Sequence, residues 1–325
     1  MKAIGVHTTT QELQLIDIAT PTPGPGEVRI KVVAAAVNRA DLMQRRGLYP
    51  PPPGASDILG LEVSGIVDAV GEGVISPRPG DEVCALLAGG GYAEYVVVVA
   101  TQCFPIPDGV SLVDAAGLPE VACTVYSNVV TEAGLKSGET LLLHGGGSGI
   151  GTHAIQLGKA LGATVAVTVG SEYKGQRCRE LGADIVINYR EQDFADVLEN
   201  RADVILDNMG AKYLPGNVRA LAPHGRLVII GMQGGTEGTL NIAALLSKRG
   251  RVSATNLRGR PATGPNSKAE VVASVIEHVW PLIAAGSVKP VISARLPYTE
   301  AQAAHALLDS PESIGKVLLV MDPHS

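Results

Sequence analysis

Paired cysteines are missing from this chain. Its four cysteines, Cys84, Cys103, Cys123 and Cys178, lie far apart and none forms a CxxC pair. That spacing builds neither a zinc cluster nor a disulfide scaffold. Aromatic residues are scarce at 3%, so Val, Ile, Leu and Ala must make the core. Concentrated positive charge is also lacking. The formal net charge is −6 over 325 residues, and the basic pieces at 45–46, 248–251 and 258–260 are short. Each suits a solvated surface or contact with a small anionic ligand. A nucleic-acid footprint needs clustered Lys and Arg and is excluded. The N-terminal MKAIGVHTTT lacks the apolar run of a signal peptide, and no other apolar stretch is long enough to span a bilayer. A soluble cytoplasmic protein with no membrane partner is the expectation.

What the chain does have is 46% hydrophobic residues, with 39 glycines and 21 prolines placed at turns and strand ends. Its length suits two domains with real cores. The first third reads as strand-rich, with β-branched runs at 27–33, 62–70, 81–87 and 92–99 bounded by Gly and Pro. Residues 50–53 are four consecutive prolines. Lacking N–H donors, they can be neither helix nor central strand. Beyond Pro119 the rhythm changes to short apolar strands alternating with helices or loops. A helix at 121–132 precedes strands at 140–144 and 164–169, with a helix at 150–161 between them. Strands at 183–188, 203–207 and 226–231 follow. Such a run predicts a parallel sheet covered on both faces. After the linker 261–267 come a helix at 268–283, a strand at 288–292, a helix at 299–308 and a strand at 316–320. These are too few for a domain of their own. They are expected to complete the first one, giving the divisions 1–120, 121–261 and 262–325.

Residues 144–151, HGGGSGIG, follow an apolar strand and open a helix. Gly146, Ser148 and Gly151 take the three glycine positions of the dinucleotide fingerprint, and Ser148 departs from it. Gly146 is expected at the tight turn and Gly151 where helix approaches sheet, with Gly147, Gly149 and Ile150 keeping the backbone open to a pyrophosphate. The bland alternative is a structural Gly-rich turn. The strand TVAVTV ends in Gly170 and Ser171, where an NAD site carries an acid. Lys174 lies three residues on, so a 2'-phosphate is accommodated and NADPH is the expected cofactor. Glu172 is the counter-evidence. His144 and His153 are expected to be structural.

The stretches VNRADLMQRRGLYPPPPG (37–54), ILGLEVSGIVDAVGEG (58–73), GGYAEYVVV (90–98), HGGGSGIG and IGKVLLV (314–320) resemble the zinc-independent quinone oxidoreductases of the medium-chain dehydrogenase/reductase superfamily. They are most similar to its p53-inducible quinone-oxidoreductase-like branch. The resemblance covers essentially the whole chain. It implies an α/β protein: a Rossmann domain binding NADPH, and a discontinuous, β-rich, GroES-like catalytic domain. It also implies a homodimer or a tetramer of dimers, with the active site in a cleft between domains. Asn38 and Tyr49 match residues at the nicotinamide end, and Ser148 a serine near the cofactor. Lys174 matches the lysine at the 2'-phosphate, and Tyr189 a tyrosine beside the adenine ribose-phosphate. Residues 231–235, with Gly231, Met232 and Gln233, resemble the loop flanking the nicotinamide. Leu257 and Arg258 resemble a pair near the cofactor and dimer region.

Zinc-dependent relatives carry Cys where this chain has Asn38, and a Gly-His-Glu motif where it has Gly60, Leu61 and Glu62. Without those ligands a tetrahedral zinc site cannot assemble. The expected activity is therefore metal-free hydride transfer from NADPH to a quinone or a related electron-poor carbonyl compound. Tyr49 is the candidate for orientation or proton delivery, with a loop anchor as its alternative role. Two rival functions share the fold: reduction of activated C=C bonds, and NADPH binding without turnover.

Overall fold

The protein, described over residues 1–321 by a computed structural model, divides into two compact units. One comprises residues 1–123, 257–286 and the chain from 290 onward; the other comprises 124–256 and 287–289.

The first unit begins with the antiparallel pair β1 (Lys2–Val6) and β2 (Leu13–Asp17). Next comes β3 (Glu27–Val37), four residues longer than expected at its C-terminal end. Val28, Ile30 and Val32 are buried while Arg29 and Lys31 are less so, the period-two alternation of a half-covered strand. From Ala34 to Val37 every residue is buried. Ala35 and Val37 join the main core, and Ala34 and Ala36 a small cluster on the opposite face. Helix α1 (Arg39–Arg45) follows, then β4 (Glu62–Val70), β5 (Glu82–Leu86), β6 (Tyr95–Val99) and β7 (Cys103–Pro105). Residues 50–53 are neither helix nor strand. Short helices α2 (Leu112–Ala115) and α3 (Pro119–Val125) end this segment.

The expected helix 121–132 changes character at Tyr126 and continues to Glu132 in wider turns. Asn128 gives the reason. Its Nδ2 donates to the Thr124 carbonyl at 2.7 Å, an acceptor that a regular turn uses, and the Ala133 N–H reaches back five residues to Asn128 O.

The second unit then runs β8 (Thr140–His144), α4 (Gly149–Ala160), β9 (Thr164–Val169), α5 (Glu172–Glu180) and β10 (Ile185–Asn188). It continues through α6 (Phe194–Val197), β11 (Ala202–Asp207), α7 (Leu214–Ala220), β12 (Leu221–Ile229), α8 (Ile242–Lys248) and β13 (Arg251–Ala254). All six strands are parallel, in the order β10-β9-β8-β11-β12-β13. Counted within the unit this is 3-2-1-4-5-6, the dinucleotide-binding order.

The returning segment carries α9 (Lys268–His278), α10 (Trp280–Ala284), β14 (Ile292–Pro297), α11 (Ala301–Asp309) and β15 (Lys316–Val320). β15 pairs antiparallel with β3, and β14 parallel with β15, so the first unit's sheet reads β14-β15-β3-β4-β5-β7 with β6 also on β3. Two expectations fail here. The single helix 268–283 is broken ahead of Pro281, whose ring and missing N–H forbid an unbroken turn. The strand expected at 288–292 lies instead at 292–297. Pro290 interrupts the expected stretch, and Lys289 is tied by its N–H and carbonyl to Gln156 at 3.0 Å each. Among the described residues no helix is long and apolar enough to cross a membrane.

His144 and His153 are both buried in the second unit. Nδ1 of His144 is 3.2 Å from Thr168 Oγ1, Nε2 is 2.7 Å from Asn217 Oδ1, and the ring packs against Phe194 and Tyr213. His153 Nε2 has no partner, and burial lowers this imidazole's pKa to about 4. A depressed folded pKa contributes stability above the unfolded value near 6.5, lost as pH falls toward 4. His153→Leu should therefore gain on the wild type as pH drops, by about 2 kcal/mol at pH 5 relative to pH 8. Denaturant melts at the two pH values check this; a gap independent of pH would refute it.

Candidate functional site

The glycine-rich turn between β8 and α4 is shaped by steric need at several positions. Gly145, not Gly146, takes the left-handed φ of 74° that makes the tight turn. Gly146 is required for a different reason: a Cβ there would lie 2.8 Å from Val167 Cβ and 3.0 Å from Cys178 Sγ. At Gly151 a Cβ would fall 2.4 Å from the Gly145 carbonyl oxygen, so this glycine lets the helix start fold onto the turn. The helix-to-sheet approach expected at Gly151 belongs to Gly158, where a Cβ would meet Val165 at 2.9 Å. Ser148 caps α4. Its Oγ accepts from Gly151 N at 3.0 Å and donates to Gly145 O at 2.8 Å. Gly149 and Ile150 form the first turn of this helix, where backbone N–H groups lack intrahelical partners.

Beside this turn stands the end of β9. Ser171 caps α5, accepting from Lys174 N at 3.3 Å. The Lys174 alkyl chain then lies over Gly147, whose Cβ would be 3.1 Å from Lys174 Cδ. Tyr189 leans over Gly170, where a Cβ would be 2.4 Å from the phenol oxygen. Gly147, Gly170, Ser171, Lys174 and Tyr189 therefore form one group. Glu172 points elsewhere, pairing with Arg179 at 2.6 Å, and Arg177 pairs with Glu180.

Across the strand ends the loop 231–235 packs on the segment after β11. Gln233 N donates to Asn208 O at 3.2 Å and Gly234 N to Met209 O at 2.7 Å, leaving Met232 exposed. A Cβ at Gly231 would touch Asn208 O at 2.8 Å. Asn208 was not apparent as a site residue in the sequence. Its Nδ2 lies beside Gly145, and its Oδ1 is buried without a hydrogen-bond partner, an unmatched acceptor at the glycine turn.

A second group gathers in the first unit. Lys316 is 4% exposed and Glu62 0%. The ammonium donates to Glu62 Oε1 at 2.6 Å, Asn38 Oδ1 at 2.7 Å and Val37 O at 3.2 Å, using all three hydrogens. Asn38 Nδ2 donates to the same Glu62 oxygen at 3.0 Å and to Ala36 O at 3.3 Å. The other Glu62 oxygen accepts from the Glu120 backbone N–H at 2.9 Å. Asp41, also sealed, accepts from Asn38 N at 2.8 Å and Gly60 N at 2.9 Å. Burial, against these hydrogen bonds, raises the Asp41 carboxyl to about 6.

Tyr49 and Arg258 lie in this unit too. The guanidinium sits 5.3 Å from the Tyr49 ring centroid, donates to Ala88 O at 2.9 Å and Gln44 Oε1 at 2.7 Å, and is 3.4 Å from Tyr49 O. Leu257 beside it is buried. Arg258 thus braces the loop bearing Tyr49, and both Leu257 and Arg258 belong to the first unit. Lys316, Glu62 and Glu120 were missed in the sequence, though each is a lone charge in an apolar stretch (GKVLLV, LEVSG, PEVAC), which was the available signal.

With this geometry in view, residues 24–108 match the family model of the alcohol dehydrogenase GroES-like domain and residues 181–319 that of zinc-binding dehydrogenase. Quinone oxidoreductase 1 of Escherichia coli (strain K12) is 31% identical over 323 residues, which cover 97% of each chain. The chain belongs to the zinc-independent quinone-oxidoreductase-like family of medium-chain dehydrogenases/reductases. The synaptic vesicle membrane protein VAT-1 homolog of Rattus norvegicus is 30% identical, with 96% of this chain and 81% of that protein aligned. Among solved structures, Escherichia coli quinone oxidoreductase complexed with NADPH superposes with a TM-score of 0.87 at 30% identity, over 98% and 100% of the two chains. An NAD-dependent alcohol dehydrogenase reaches 0.86 at 31%, over 99% and 100%. Zinc in the name of one matching model does not suit this family member. Among the described residues no group of three or more His, Cys, Asp or Glu could hold a metal ion, and a lysine ammonium fills the space between Asn38 and Glu62.

Removing one partner of a sealed ion pair leaves an uncompensated charge, at a cost of about 3–5 kcal/mol. Lys316→Met should lose about that much stability. Lys316→Met with Glu62→Gln should recover most of it. Denaturant titration of the singles and the double closes the cycle, and additive losses would show that the two groups do not act as a pair.

Proposed function

We propose that this chain reduces quinones, or related electron-poor carbonyl compounds, by direct hydride transfer from NADPH without a metal ion. The observation that carries the reading is the Lys316 ammonium, which gives every hydrogen to a protein acceptor and ties together Asn38 and Glu62, at the positions where zinc-dependent relatives carry their ligand motifs. With that cation committed to the protein, the reading favours an acceptor that brings its own electron deficiency. A quinone does, because its reduced form is aromatic. The protein's task is then to hold acceptor and nicotinamide together and exclude competing geometry.

The residues at the β8–α4 turn fit a dinucleotide. Backbone N–H groups at the start of α4 would bind the pyrophosphate, and the unmatched Asn208 Oδ1 offers an acceptor to a hydroxyl or amide of the dinucleotide. Ser171, Lys174 and Tyr189 would hold the 2'-phosphate end, and Gly231, Met232 and Gln233 would flank the nicotinamide. Bound NADPH supplies the hydride. Tyr49, fixed under Arg258, would orient the acceptor with Asn38 behind it, while Ser148 contributes by keeping the turn in shape. Within the family, the motifs between 37 and 98 favour the p53-inducible quinone-oxidoreductase-like branch. A homodimer is the working assembly we infer. Strand β13 pairs only with β12 among the described residues, so its outer edge is where a second copy would extend the sheet.

Two measurements test this. With NADPH, 1,2-naphthoquinone and 9,10-phenanthrenequinone should surpass simple enals and enones in kcat/KM; a clear preference for an enal or enoyl thioester would move the chain to double-bond reduction, and no cofactor oxidation with any acceptor would leave a binding protein. Lys174→Ala should weaken NADPH by about 10- to 100-fold, the equivalent of one charge-assisted hydrogen bond. NADH has no 2'-phosphate to lose, so its affinity should hardly move. Calorimetric titration of both cofactors reads this directly, and equal weakening of the two would count against it.

A further inference from the structure

We infer that Glu120 is the acid of this site, giving its carboxyl proton to the acceptor oxygen that becomes an oxyanion when hydride arrives. This rests on the quinone-reductase reading above. Three carboxyl groups crowd the first unit near Asn38, and only one is available. Asp41 and Glu62 are sealed at 0% exposure, their oxygens taken up by hydrogen bonds from neighbours. Glu120 offers its backbone N–H to Glu62, and of the three residues it alone keeps some exposure, although its carboxyl is densely surrounded. It is the one of the three that is not sealed.

Such a group can assist the chemistry by delivering the proton within the site. Hydride from NADPH converts the quinone to the hydroquinone monoanion and leaves NADP+. One proton then completes the hydroquinone, and the resulting Glu120 carboxylate is recharged from water. The monoanion is a phenolate, with an affinity for protons near that of tyrosine, about 10. Tyr49 is therefore a poor donor, since burial and then the nearby Glu120 push its phenol above its ordinary value of 10, Arg258 only partly opposing. Glu120 is better matched. Burial, then the adjacent Glu62, raise it to about 8, with Asp41 adding to the rise and Lys316 and Arg258 opposing it. These partners come from β4, α1, β15 and the segment after β13. Tyr49 on the loop after α1, Cys123 on α3 and Lys268 on α9 also feel its charge. Such a carboxyl is mostly protonated at neutral pH, yet about a hundred times more acidic than the phenol it serves.

Wild type should show a level kcat/KM with 9,10-phenanthrenequinone below pH 8 and a tenfold fall per pH unit above it. Glu120→Gln should lose that limb and lower kcat about 100-fold, with NADPH affinity retained. Glu120→Asp should keep the limb at a shifted pH. Tyr49→Phe should also keep it, at reduced kcat, since that hydroxyl orients rather than protonates. A wild-type profile level to pH 9.5, or a Glu120→Gln enzyme with normal turnover and an intact limb, overturns the inference while leaving quinone reduction standing. Should Glu120→Gln not fold, the wild-type profile and the solvent isotope effect on kcat decide. Absence of turnover with every quinone removes the functional reading, and the acid role with it.

Discussion

A single buried ammonium organises the first unit. Lys316 opens β15, the last strand in the chain, and its three hydrogens reach β4 through Glu62, the end of β3 through Val37, and Asn38 just beyond it. Glu62 passes the connection on to the start of α3 through the Glu120 N–H. Segments remote in the chain are thus held by one charge and its acceptors. Charges withdrawn so fully from water are tolerated only when every hydrogen and lone pair is engaged. The arrangement also sorts the carboxyl groups. Those tied into the network are unavailable, and burial first, then the negative charge of Glu62, push the neighbouring Glu120 carboxyl above the usual range.

The second unit depends on close approach rather than on charge. Gly146, Gly151 and Gly158 each stand where a methyl group would strike backbone or a buried side chain within 3 Å. The turn can lie against β9, and helix α4 against turn and sheet, only because those positions are bare. The price is an exposed backbone, and the same bareness opens the N-terminal amides of α4 to an anionic ligand.

Much of this was legible in the sequence. The unbroken apolar strands TLLLH and TVAVTV carry their burial in their composition, and they appear with the expected bounds. The closing KVLLV does likewise. The glycine turn was evident as a turn, but three adjacent glycines do not disclose which adopts a positive φ; packing against Val167 and Cys178 decides that. Glu172 looked like an obstacle to a phosphate, yet it pairs with Arg179 two turns along the same helix face, which no pattern at the strand end reveals. The charge network was hidden more deeply. Lys316 and Asn38 are 278 positions apart, and only the antiparallel pairing of β15 with β3 brings them together. The displaced strand at 292–297 has a plainer cause, since Pro290 cannot donate to a ladder.

Gly170 carries a consequence for how this protein can evolve. The step that most simply changes a phosphate-tolerant site into one favouring an unphosphorylated ribose is an acid at the end of the second strand. Here the first atom of any such side chain falls 2.4 Å from the Tyr189 hydroxyl oxygen. That oxygen is the far end of a side chain 47% exposed, so the tyrosine can swing aside and a new side chain at 170 would displace it. The two positions are therefore coupled: whatever occupies 170 decides where the ring at 189 can lie.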